Sequence, residues 1–165
     1  MTITDELLRN AETYGEGFDK GHLAMPPAKH VAIVACMDAR LNPYGLFALA
    51  EGDAHVIRNA GGAVTDDVIR SLAISQRLLG TREIILVHHA DCGMLTFKGD
   101  PFLAKIEDEV GTRPPWATEA FSDPAQDVRQ SLARIKASPF LLFPGAARGF
   151  VYDDRRGTLS EVLPA

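Results

Sequence analysis

Two cysteines and a histidine are the side chains of this sequence best suited to hold a metal ion together. His89 and Cys92 are separated by two residues, a spacing that lets both bind one ion where the chain turns. Cys36, the other cysteine, could complete the set, and two thiolates with one imidazole favour zinc over magnesium or calcium. Three protein ligands leave one tetrahedral position open, which is typical of a catalytic zinc site.

An aspartate and an arginine follow Cys36 at alternate positions. If the chain stays extended there, Cys36, Asp38 and Arg40 lie on one side of it. Arg40 could then hold the Asp38 carboxylate in a two-pronged salt bridge. Asp38 could instead bind the metal as a fourth ligand, and the site would then be structural.

The same residues also have interpretations without a metal. A buried cysteine at a strand end is usually a small core residue, and a single histidine is usually only hydrogen-bonded. A redox pair of Cys36 and Cys92 is another alternative, although the usual CxxC spacing is absent. Spacing alone leaves these alternatives open.

Apolar segments alternate with helical patterns along the chain. Three short apolar segments predict strands, at residues 30–36, 53–58 and 82–88. Helical spacing predicts a helix over 65–80, with Thr65 as N-cap and Gly80 as C-cap, and another over 123–137. The alternation predicts an α/β fold, a mainly parallel central β-sheet flanked by helices.

The remaining segments are less regular. Residues 98–122 contain three prolines and predict short helices and loop. Residues 148–154 and 158–163 predict either two terminal strands or one strand with a tail.

The predicted sheet would bring the candidate ligands together. In open parallel sheets, ligand sites form at the carboxyl ends of the strands. Cys36 ends the first predicted strand, and Cys92 follows the third by a few residues. If these strands are neighbours, both thiols lie at one edge of the sheet.

The first 28 residues predict a helical arm and linker outside this sheet, because Pro26 and Pro27 cannot continue a helix. The arm would pack on a partner subunit or dock loosely, and its apolar residues include Leu7, Leu8, Tyr14 and Phe18. Residues 29–165 are predicted to form one zinc-binding α/β domain.

Composition sets the outer limits on function. The chain has 165 residues, 46% of them apolar and 24% charged, which fits one globular domain and excludes a largely disordered chain. A net charge of −5 argues against nucleic acid as a partner. Because no apolar run approaches the roughly 18–20 residues of a spanning helix, we expect no membrane insertion. Without an apolar signal core near the N-terminus, we expect a cytoplasmic protein.

Three motifs make the sequence similar to a known family. CMDAR at 36–40, RNAGG at 58–62 and HHADCG at 88–93 occur in the order, and at about the spacing, of the β-class carbonic anhydrases. The short chain resembles the small bacterial and mycobacterial members. The resemblance implies a zinc enzyme that converts carbon dioxide and water reversibly to bicarbonate, by attack of zinc-bound hydroxide.

The resemblance also implies roles for single residues. The family's Zn²⁺ ligands fall on Cys36, His89 and Cys92, and its Asp–Arg dyad falls on Asp38 and Arg40. In the family's open state the Arg holds the Asp and water takes the fourth zinc position. In the closed state the Asp binds the metal and activity is lost.

Smaller features of the site are also predicted. The backbone N–H of Gly93 could face an oxygen where negative charge develops, although Gly93 could also be only a turn glycine. His88 alternates to the strand face opposite His89, which indicates a structural residue. His55 or a buffer molecule could carry protons. Family members that sense bicarbonate have a Trp three residues before the first Cys, where this chain has Ile33.

Other functions compatible with the resemblance are an enzyme on the same site and a protein without activity. Carbonyl sulfide hydrolase belongs to the same family and releases hydrogen sulfide from a linear triatomic substrate; carbon disulfide hydrolysis is a remoter variant. A non-catalytic zinc protein would result if Asp38 stayed on the metal. The resemblance further implies a homodimer, or a dimer of dimers, in which the N-terminal helix wraps the neighbouring subunit.

Overall fold

A computed structural model describes residues 2–163. Met1, the first residue of the predicted arm, and positions 164 and 165 of the predicted domain lie outside the described residues.

Within residues 2–163, five strands form one sheet in the order β2-β1-β3-β4-β5. They are β1 (Val31–Cys36), β2 (Ala54–Asn59), β3 (Glu83–His89), β4 (Ala147–Asp153) and β5 (Thr158–Val162). The first four are parallel to one another, and β5 is antiparallel to β4. The predicted mainly parallel sheet is confirmed, and the chain end forms two strands rather than one strand with a tail.

The described part of the chain also contains five α-helices. They are α1 (Ile3–Glu16), α2 (Pro43–Leu46), α3 (Asp66–Leu79), α4 (Gly99–Val110) and α5 (Pro124–Ala137). The predicted ends of α3 are confirmed: the Thr65 side chain accepts from the Val68 N–H, and Gly80 adopts a left-handed conformation with φ of 76°.

For residues 98–122 the sequence predicts short helices and loop; the loop is confirmed at 111–122, and the several short helices are wrong. Helix α4 forms a single helix of 12 residues. Pro101 lies in its first turn, where a backbone N–H would have no helical acceptor, so the proline does not interrupt the helix.

Two apolar clusters cover the two faces of the sheet. Alternation along β1 sends Ala32 and Val34 toward α3 and α5, where the first cluster includes Val68, Leu72, Val128 and Ile135. Ile33, Ala35 and Cys36 belong to the second cluster, which also contains Cys92. Both thiols are therefore held in packed, apolar surroundings.

The N-terminal arm lies apart from this core. None of the 14 residues of α1, all of them described, is buried. The Tyr14 hydroxyl donates to Glu51 at 2.5 Å, and Lys20 forms an ion pair with the same carboxylate. A boundary between arm and domain at residue 28 stays a prediction.

Within residues 2–163, none of the helices combines the length and apolar character needed to cross a bilayer.

Candidate metal centre and active site

The ends of β1 and β3 bring the three candidate ligands to one place. The strands are direct neighbours, Cys36 is the last residue of β1, and His89 is the last residue of β3. Cys92 follows after a short turn, with its Sγ atom 3.8 Å from that of Cys36. The ligand atoms of all three residues lie within 4.8 Å of one another, and both thiols are free.

The His89 ring has one nitrogen left for a metal. Its Nδ1 atom donates to Asp154 Oδ1 at 2.8 Å. Its Nε2 atom is buried and has no hydrogen-bond partner among residues 2–163. A buried polar atom is normally paired, so this unpaired nitrogen beside two thiols fits a site that takes a metal.

The two thiols affect each other's ionisation. Contact with Cys92 lowers the pKa of Cys36, while contact with Cys36 and burial raise the pKa of Cys92. The protein alone therefore favours one thiolate and one thiol in the pair. A divalent cation between them would compensate the charge of a second thiolate, so the donor set fits zinc.

Asp38 lies beside the three candidate metal ligands, and its carboxylate binds Arg40. The Arg40 Nε and Nη2 atoms donate to its two oxygens at 3.0 and 2.7 Å, and the Arg40 backbone N–H donates at 2.9 Å. These bonds hold the pKa of Asp38 well below its usual range. The Oδ2 atom of Asp38 lies 3.8 Å from His89 Nε2. Asp38 is therefore an ionised hydrogen-bond acceptor next to the three candidate metal ligands. This is the arrangement that the resemblance implies for the open state.

Arg40 also connects the two loops of the site. Its Nη1 atom donates to Asp91 Oδ2 at 2.7 Å, and its Nη2 atom donates to the Asp91 carbonyl at 2.9 Å. Arg40 thus binds both the loop after β1 and the loop after β3.

A second arginine fixes the loop that carries Asp38. Arg58 donates through Nε and Nη2 to the Cys36 carbonyl at 3.0 and 2.7 Å. Its Nη2 atom also reaches the carbonyls of Asp38 and Leu41 at 2.7 and 2.8 Å. This contact gives the arginine of the RNAGG motif a structural role at the site.

The glycines of the same motif form a turn between β2 and α3. Gly61 and Gly62 both have positive φ, 80° and 69°. A Cβ atom on Gly62 would lie 2.9 Å from the backbone nitrogen of Cys36. Because it has no Cβ atom, Gly62 can lie close to the backbone of the candidate ligand Cys36.

Asp154 and Asp91 are site residues that the sequence reasoning missed. Asp91 stands between two predicted ligands, in the loop after β3, and Asp154 follows β4 directly. The available signal was their position just after parallel strands, where ligand sites form.

The structure also shows the surroundings of three other predicted residues. Gly93 opens a 3₁₀ turn, and a Cβ atom built on it would meet nothing within 4 Å. His88 points away from the site and bonds Asp127 at 2.7 Å, in agreement with a structural role. His55 pairs with Ala32 and bonds Ser75 at 2.7 Å. The suggested proton transfer by His55 is not supported, because Ala32 precedes Cys36 by four strand residues, or roughly 13 Å.

Comparison with known proteins identifies the family. The carbonic anhydrase family profile matches residues 31–141. Beta-carbonic anhydrase 1 of Mycobacterium tuberculosis is 62% identical over 164 residues, which cover 99% of this chain and 100% of that protein. A carbon disulfide hydrolase of Acidianus sp. is 40% identical over 120 residues, which cover 73% of this chain and 55% of that protein.

A solved structure agrees with this result. The carbonic anhydrase of Streptococcus mutans has a TM-score of 0.91 to this chain, with 39% identity and 99% of both chains covered. Sequence motifs, strand order and site geometry lead to the same assignment: the chain belongs to the β-carbonic anhydrase family.

Proposed function

We propose that the protein is a zinc-dependent carbonic anhydrase that hydrates carbon dioxide reversibly to bicarbonate. One observation carries the proposal: two thiols and an imidazole meet at the strand ends while Arg40 holds the ionised Asp38 beside them. The full-length similarity to a protein named beta-carbonic anhydrase supports it.

Cys36, His89 and Cys92 would hold the zinc ion. When bound, zinc would supply a Lewis acid that lowers the pKa of a water molecule at its open position. Two thiolates cancel the formal charge of the ion, so this effect is weaker than with neutral ligands, and the surrounding protein must contribute.

Asp38 would make that contribution by accepting a hydrogen bond from the attacking oxygen. Because Arg40 keeps the carboxylate ionised, Asp38 accepts and does not donate at neutral pH. The same salt bridge would compete with binding of Asp38 to the metal. A fixed acceptor orients a lone pair of the oxygen toward the substrate carbon.

Gly93 would act on the substrate and not on the attacking oxygen. Its backbone N–H could donate to a substrate oxygen as negative charge develops there. Open space beside its Cα allows a small substrate to come close. A three-residue 3₁₀ turn has little dipole of its own, so the effect would rest on this single N–H group.

Hydrolysis of a sulfur-containing analogue is the second candidate function. The named activity of the Acidianus relative is carbon disulfide hydrolysis. Carbonyl sulfide and carbon disulfide are linear triatomic molecules like carbon dioxide, so the same donors and the same Asp38 would serve. A non-catalytic zinc protein is less well supported, because it requires Asp38 as a fourth metal ligand and Arg40 already binds that carboxylate.

We further propose a cytoplasmic homodimer, or dimer of dimers. The exposed apolar side chains of α1, among them Ile3, Leu7 and Leu8, support contact with a second copy. Two free thiols 3.8 Å apart suit a reducing compartment.

One preparation can test these functions together. Zinc content, carbon dioxide hydration, and sulfide release from carbonyl sulfide and carbon disulfide are measured on the same protein. We expect carbon dioxide hydration to dominate, to disappear with a chelator and to return with zinc. Sulfide release without carbon dioxide hydration would support the second candidate, and zinc-loaded protein inactive in all three assays would contradict both.

A further inference from the structure

We propose that Asp154 is a positioning residue that prepares His89 and the Cys92 loop for the metal. The inference rests on the proposed zinc site and adds a residue outside the three sequence motifs. The carboxylate would act through the ligands and would not touch the metal or the substrate.

The end of β4 places Asp154 next to the end of β3. His89 pairs with Tyr152 in the sheet, and the Ala90 N–H donates to the Tyr152 carbonyl at 2.8 Å. The chain after β4 therefore runs beside the turn that leads to Cys92. The Asp154 side chain is only 8% exposed in this position.

Each oxygen of this carboxylate holds a different part of the site. Oδ1 accepts from His89 Nδ1 at 2.8 Å, and Oδ2 accepts from the Asp91 N–H at 2.8 Å. One side chain thus fixes a candidate ligand and the backbone next to another.

The contact with His89 decides which ring nitrogen is available. A carboxylate oxygen that accepts from Nδ1 keeps a hydrogen on that nitrogen, so Nε2 is the ring nitrogen that remains for a metal. Nε2 is buried and has no hydrogen-bond partner among residues 2–163. Rotation of the ring would break the bond to Asp154, so the orientation of the ligand is also fixed.

The contact with Asp91 extends the effect to the rest of the site. Asp91 bonds Arg40 through its side chain and its carbonyl, and Arg40 holds Asp38. Cys36 depends less on this network, because it lies in β1 and its carbonyl is bound by Arg58. Loss of Asp154 should therefore weaken metal binding without removing the fold.

The neighbouring Asp153 provides a matched control. Its Oδ1 atom accepts the backbone N–H groups of Arg155 and Arg156, and its side chain is 36% exposed. Asp153→Asn changes the same charge one residue away without touching the candidate ligands.

The test compares Asp154→Asn with Asp153→Asn and the unchanged protein. Asparagine keeps the size but cannot accept at both positions, since one of them becomes an NH₂ group. We expect zinc affinity, measured by competition with a chromophoric chelator, to fall about 10–100-fold in Asp154→Asn and to stay unchanged in Asp153→Asn. The visible spectrum of the cobalt-substituted protein should change only in Asp154→Asn.

The outcomes separate this inference from the proposed function. Equal zinc affinity and equal cobalt spectra in Asp154→Asn and the unchanged protein would overturn the inference alone. An unchanged protein that binds no zinc would overturn both. If metal-free Asp154→Asn does not fold, the zinc dissociation rate of protein purified with the metal is measured instead. We then expect a rise of about 10–100-fold, and an unchanged rate would overturn the inference.

Discussion

The carboxyl edge of the sheet and the N-terminal arm differ in how their side chains are held. At the edge, His89 is fully buried, and Arg40 bonds both Asp38 and Asp91. In the arm, Leu7 and Leu8 are 59% and 60% exposed. The arm's contacts with the body of its own chain include the Glu51 carboxylate, itself at the surface.

This difference separates the candidate site, which a single chain forms by itself, from the apolar side of α1, which the same chain leaves exposed. The three candidate ligands and Asp38 all come from strands and loops of a single chain. The apolar side of α1 is not covered within residues 2–163, so its burial requires contact with another molecule. Substitutions at the edge should therefore change chemistry, and substitutions in the arm should change association.

The largest effect is expected from Cys36→Ser. A serine hydroxyl is a poor zinc ligand at neutral pH, so the protein should lose its zinc and its carbon dioxide hydration together. Metal analysis and a hydration assay on the same sample measure this. Cys92→Ser should behave alike, and retention of zinc and activity in either variant would refute the proposed ligand set.

Asp38→Asn should separate metal binding from catalysis. The donors are untouched, so zinc stays, but the neutral amide accepts more weakly than the ionised carboxylate. We expect hydration to fall about 100–1000-fold, measured as kcat/KM on zinc-loaded protein. Unchanged activity would show that Asp38 has no part in the reaction.

Gly62→Ala tests the close backbone approach at the edge. The added Cβ atom meets the Cys36 nitrogen at 2.9 Å, and φ of 69° disfavours a side chain. We expect the free energy of unfolding in urea to drop by about 2–4 kcal/mol. Gly145→Ala, where a Cβ atom meets nothing within 4 Å, is the control.

Substitutions in the arm should leave the site intact. In Leu7→Ser combined with Leu8→Ser, the apolar surface available for a partner decreases. Dimer dissociation, followed by analytical ultracentrifugation, should become about 100-fold easier or more, because burial of the two leucines contributes about 1.5–3 kcal/mol each and about 1.4 kcal/mol is a factor of ten. Zinc content should not change, and Asn10→Ser on the same helix should leave association as it is. Unchanged association in the double variant would contradict an arm-mediated dimer.

The smallest effect concerns acid stability at the edge. Arg40 lowers the pKa values of Asp38 and Asp91 in the folded protein. Their carboxylates therefore stabilise the fold above the unfolded-state pKa of about 3.9, and this contribution disappears as pH falls through the lower folded values. Arg40→Gln should be less stable than the unchanged metal-free protein near about pH 6, and the gap should narrow toward about pH 3. A gap that does not depend on pH would contradict this linkage.

The parts of the molecule that local sequence determines could be predicted. Apolar β-branched residues identify β1, and Thr65 and Gly80 mark the ends of α3, because these signals act within a few residues. The meeting of Cys36 and His89 required only that β1 and β3 be neighbours. Pro101 was misleading, since a proline in a first turn and one that ends a helix look alike in sequence.

The contacts that support the ligands could not be predicted in the same way. Asp154 and His89 are 65 positions apart, and their meeting depends on β4 joining the sheet beside β3. Arg58 reaches the Cys36 carbonyl across 22 positions. Such contacts follow from strand order and register, and no short motif contains both partners.

X-ray absorption at the zinc edge of the purified protein tests the central claim most directly. Binding by Cys36, His89 and Cys92 predicts one zinc ion per chain with two sulfur neighbours at about 2.3 Å and the remaining neighbours nitrogen or oxygen. Fewer than two sulfur neighbours per zinc, or protein that takes up no zinc, would contradict the account.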